Sequence, residues 1–94
     1  MNYVVRIEEN SRYMDEAERY TLGEFADAES ALAAAKRAVD DDLNSFYRAG
    51  MMAGELYQHY TRFGRDPYIV SADDSCQFSA WDYAAVRCRE ICER

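Results

Sequence analysis

A chain of 94 residues with a formal charge of −7 makes one domain around one core, since a chain this short buries roughly two-thirds of its extended surface. Its acidity repels phosphate backbones and anionic headgroups, which disfavours direct nucleic-acid binding and membrane adsorption, while a basic partner is attracted and steered. No apolar run reaches the length of a membrane helix, residues 1–15 lack the apolar centre of a signal peptide, and an odd set of three cysteines reads as reduced thiols; the expected compartment is the cytoplasm.

Residues 2–8, NYVVRIE, alternate Tyr3, Val5 and Ile7 with Val4, Arg6 and Glu8, the period-2 pattern of a strand with one covered and one wetter face. Residues 9–18 are polar and acidic and read as a long connection. Arg19 to Phe25 returns as a second strand, with Gly23 marking a bulge, and the two strands pair as a hairpin.

Asp27 to Tyr47 is the longest helical signal. Within about 40° of Val39 on a helical wheel lie Ala28, Leu32, Ala35, Leu43 and Phe46, one narrow apolar stripe. Asp27 is placed to cap the N-terminus and Glu29 adds negative charge at the positive pole of the dipole. The small alanines allow close approach to a sheet. Asp42 sits about 60° from the stripe centre, where a carboxylate is partly buried or paired to an arginine.

A second helix spans Met52 to Phe63, with Met52, Leu56, Tyr60 and Phe63 on its apolar side and His59 at the edge. Gly64 ends it and Pro67 prevents continuation. Tyr68 to Ala72 is a third strand. Ser79 then caps a last helix, with Asp82 in the capping-box position and Phe78 and Tyr83 as a hydrophobic staple. Ala80, Ala84, Cys88 and Ile91 share its buried face with Trp81. The order is β-β-α-α-β-α, and the expected fold is α+β: a three-stranded, mainly antiparallel sheet with three helices packed on one face.

Chemistry is sparse. Cys76, Cys88, Cys92 and His59 form the one conceivable zinc set, yet cysteines on an apolar stripe serve equally as small core residues. Tyr57, His59, Arg62 and Arg65 lie in the only basic and aromatic stretch, YQHYTRFGR, which fits an anionic aromatic ligand; core tyrosine and solvated arginines account for it as well. The acidic loop from Tyr13 to Glu18 lacks the spacing of a calcium loop. No phosphate loop, nucleophile elbow or metalloprotease motif is present, so no enzyme and no cofactor are expected.

Tyrosine surplus, 8 of 94 residues, instead points to an interaction module, a homodimer or an adaptor. Tyr13, Tyr83 and Val86 are its candidate contact residues. Two other readings stand beside it: an acidic protein docking on a basic or nucleic-acid-binding surface, and a binder of a small ligand or metal through His59 with the arginines or the cysteines.

Overall fold

Asp27 adopts the extended backbone of a cap (φ −133°, ψ 157°), and its carboxylate accepts the Ser30 N–H at 2.7 Å. That bond holds the Asp27 pKa below its ordinary value. From it starts the central element of a computed structural model that describes residues 3–9, 18–71 and 77–93. The elements are β1 (Tyr3–Glu9), β2 (Glu18–Phe25), α1 (Ala28–Phe46), α2 (Ala53–Phe63), β3 (Arg65–Ser71) and α3 (Ala80–Cys92). Class and order are those expected from the sequence.

The sheet is antiparallel throughout, in the order β2-β1-β3. Val5 stands opposite Gly23 and Arg6 opposite Thr21, so Leu22 is the extra residue of a bulge beside Gly23. On β3 the partners are Val70 for Val4, Tyr68 for Arg6 and Asp66 for Glu8. Val5, Ile7 and Pro67 are buried beneath the helices, and the alternate residues make the opposite face.

The third strand begins at Arg65, three residues before the expected Tyr68. Pro67 stops a helix, but it is tolerated in β3 because that is an edge strand, where a missing N–H costs no ladder bond. Gly64 has ordinary extended backbone (φ −80°); a side chain there would lie 2.6 Å from the Tyr60 ring. Close packing, not a left-handed turn, selects glycine.

The core has two clusters joined by α1. Ala31 and Ala35 meet Val5 on the sheet, while Val39 and Leu43 meet Leu56 and Tyr60 of α2 and Ala84, Cys88 and Ile91 of α3. The buried arc of α1 is therefore wider than the expected stripe: Ala31 and Ala38 are buried and Leu32 is half-buried. A helix lying between a sheet and two other helices is covered on two flanks. Met52 and Phe63, expected in the core, are 68% and 52% exposed because they stand at the two ends of α2.

The principal extents are 44 × 34 × 17 Å, and the smallest is that of one sheet with one helical layer, about 10 Å apart between layers. Among the described residues, no helix is long and apolar enough to cross a membrane.

Candidate functional site

Arg65 is drawn away from the ligand set that the sequence assigned it to. Its backbone N–H donates to Asp42 Oδ2 at 2.8 Å, its Nε to Oδ1 at 3.1 Å and its Nη2 to the Ala38 carbonyl at 3.3 Å. The clamp ties the start of β3 to α1, and buried Tyr60 donates its hydroxyl to the Arg65 carbonyl. Asp42 is thus the arginine-paired carboxylate.

His59 lies between two phenylalanine rings, with centroids 4.6 Å from Phe46 and 4.8 Å from Phe63. It lines a shallow depression with Arg62, Glu55 and Met51. Tyr57 packs against the helical cluster instead. Of Tyr57, His59, Arg62 and Arg65, the fold brings only His59 and Arg62 to one hollow.

Cys88 is buried on α3, and burial pushes its thiol up to about 11, with Cys92 adding to the shift. Both are free thiols. Among the described residues, no group of three His, Cys, Asp or Glu is close enough to hold a metal ion. Cys76 lies outside the described residues, as do Tyr13, Asp15, Glu16, Asp73 and Asp74.

Tyr83 turns inward: its hydroxyl donates to Asp40 at 3.0 Å, and Arg87 Nε donates to the same carboxylate at 2.9 Å. Burial and this carboxylate raise the Tyr83 phenol to about 12. Val86 stays on the surface. Asp40 and Asp42, two of three consecutive acids in α1, both face arginines of the same chain.

Two surfaces stand open among the described residues; the first was legible in the sequence as the wetter face of the strands, and the second was not. One is the second face of the sheet, where Val4, Arg6, Glu8, Asp66 and Tyr68 are half-buried, Glu24 is exposed and Val70 is 47% exposed. The Arg6 Nε is shut off from solvent without a hydrogen-bond partner. The other is a groove of about 430 Å³ between β3 and the start of α3, lined by Asp66, Tyr68, Phe78, Ser79, Ala80 and Trp81. Trp81 is 45% exposed. The Asp66 carboxylate makes no hydrogen bond or ion pair with another described side chain, and burial, with Glu8 opposite, raises its pKa.

The signal for the β3 side of the groove was the alternation of Asp66, Tyr68 and Val70, which starting the strand at Tyr68 concealed. No family model matches the chain, and no curated protein or solved structure shows significant similarity to it.

Proposed function

We propose that this chain is a non-enzymatic, cytosolic protein-interaction module that pairs with a second copy of itself through the uncovered face of its sheet. The observation that carries the reading is that face itself: apolar Val4, Val70 and Tyr68 stand beside the half-buried Arg6 on a side of the sheet that no described helix covers. A docked surface that offers a carboxylate meets the accessible part of that side chain as a charge-assisted contact. Glu24, exposed on the same face opposite Val4, supplies that carboxylate from the second copy. Two copies related by a twofold axis then exchange a pair of Arg6–Glu24 contacts.

Edge-to-edge pairing is the less favourable route. Pro67 interrupts the donor row of β3 and the Leu22 bulge distorts β2, both ordinary means of blunting an exposed strand. A face of three seven-residue strands measures roughly 23 by 14 Å, so two copies bury on the order of 700 Å², below the area of a permanent dimer. The association is therefore weak and reversible. Free Cys88 and Cys92 support a reducing compartment.

The test is light scattering from about 20 µM to about 1 mM, a range suited to weak interfaces, on the wild type and two charge-reversal variants. The wild-type mass is expected to rise above 10.9 kDa with concentration. Arg6→Glu and Glu24→Arg should each remain monomeric alone and associate when mixed. A wild type that stays monomeric throughout, or a mixture that does not associate, overturns the proposal.

A further inference from the structure

The groove beside α3 combines three features that seldom meet by accident of packing. Its walls carry the aromatic rings of Tyr68, Phe78 and Trp81; its floor offers a half-buried Asp66 carboxylate; and no described side chain neutralises that carboxylate. Glu8 lies directly across the ladder from Asp66 and contributes to raising its pKa. Asp82, in the first turn of α3, offsets the positive pole of that helix at the same end. The charge of −7 draws a basic segment toward the molecule.

We infer that this groove binds the guanidinium of an arginine presented by a basic peptide segment of another protein, the plane stacking on Tyr68 and Trp81 and the fork donating to Asp66. Arginine fits better than lysine because its planar, weakly hydrated head both stacks on rings and donates two parallel hydrogen bonds to one carboxylate. Tyr68 belongs to both the groove and the face proposed for self-association, so the peptide is titrated at a protein concentration where the mass is that of the monomer.

Trp81 is the only tryptophan, so its fluorescence reads the groove without a label. The probe is a short capped peptide of arginines spaced by glycines. It is compared with a lysine peptide and with a citrulline peptide, which keeps arginine's shape but not its charge. A saturable change with the arginine peptide is expected, weaker with lysine and absent with citrulline. Asp66→Asn and Tyr68→Ala should each weaken binding about tenfold, as expected for losing a charge-assisted or stacked contact. Glu93→Gln, which removes the same charge at the opposite end of α3, about 20 Å away at 1.5 Å per residue, should change affinity by less than about twofold because salt screens it. Equal responses to arginine and citrulline, equal affinity for lysine, or matching effects of Asp66→Asn and Glu93→Gln each overturn the assignment. So does no response at millimolar peptide. The mass measurement above fails or succeeds separately, because it reads Arg6 and Glu24 and not Trp81.

Discussion

Gly64 and Gly54 look alike in the sequence and answer to opposite constraints. At Gly64 an added Cβ meets the Tyr60 ring at 2.6 Å and the Tyr60 carbonyl oxygen at 2.7 Å, and Tyr60 is held by its hydroxyl bond to the Arg65 carbonyl. Neither atom can retreat cheaply. Gly64→Ala is expected to cost about 2 kcal/mol as overpacking. Gly54, in the first turn of α2, has nothing within 4 Å of its Cβ position, so Gly54→Ala should stabilise by about 0.5 kcal/mol through helix propensity. Urea denaturation of both variants checks the pair; the same sign for both would contradict the packing described. The residue scale is also where sequence reading was weakest. His59, Arg62 and Arg65 are neighbours in sequence, but only His59 and Arg62 share a hollow, while Asp42, distant in sequence, claims Arg65.

Helix ends were the most legible feature, because a cap is a local bond between residues three apart. Asp27 accepts the Ser30 N–H, Ser79 accepts the Asp82 N–H at 3.3 Å, and Phe78 meets Tyr83 with ring centroids 5.7 Å apart. The Asp27 cap also carries a pH signature. Its pKa is lowered in the folded state, so its stabilising contribution is present above the unfolded value and is lost as pH falls through the folded one. Asp27→Ala should lower the melting temperature at pH 7, and the difference from wild type should shrink as the pH falls below 3.8. Thermal melts at several pH values test this; a pH-independent difference would mean the side chain does not cap as a carboxylate. The start of β3 was illegible for the complementary reason. Nothing local distinguishes Arg65 and Asp66 from a loop, and they become strand because β1 offers them a ladder and Asp42 holds Arg65 in place.

In the molecule as a whole, α1 is shared by both hydrophobic clusters. Its first half packs on the sheet through Ala31 and Ala35, and its second half on α2 and α3 through Val39 and Leu43. A fold in which both clusters depend on one helix should unfold in a single transition. Val5→Ala, in the sheet cluster, and Leu43→Ala, in the helical cluster, are expected to cost about 2 and about 3 kcal/mol. Each should shift the far-UV and tyrosine signals together. If Val5→Ala separated the two signals, the clusters would be independent units. The same arrangement buries Val5, Ile7 and Pro67 on the helical side and leaves the alternate residues on a sheet face that no described helix covers. From this face and the groove at its rim come both proposals about binding.

The sequence by itself determined the class, the order of elements and the helix caps, because periodicity, propensity and capping act over a few residues and are written in the local chain. It also fixed the net charge of −7. Only the tertiary structure decided which charges are spent internally and which are offered outward. Asp40 and Asp42 pair with Arg87 and Arg65, whereas Asp66 stands in a groove whose walls come from β3 and α3. Ion pairs and grooves form between segments brought together by burial of apolar surface, and that pairing depends on how the helices stack on the sheet, for which no short stretch of the chain carries a code.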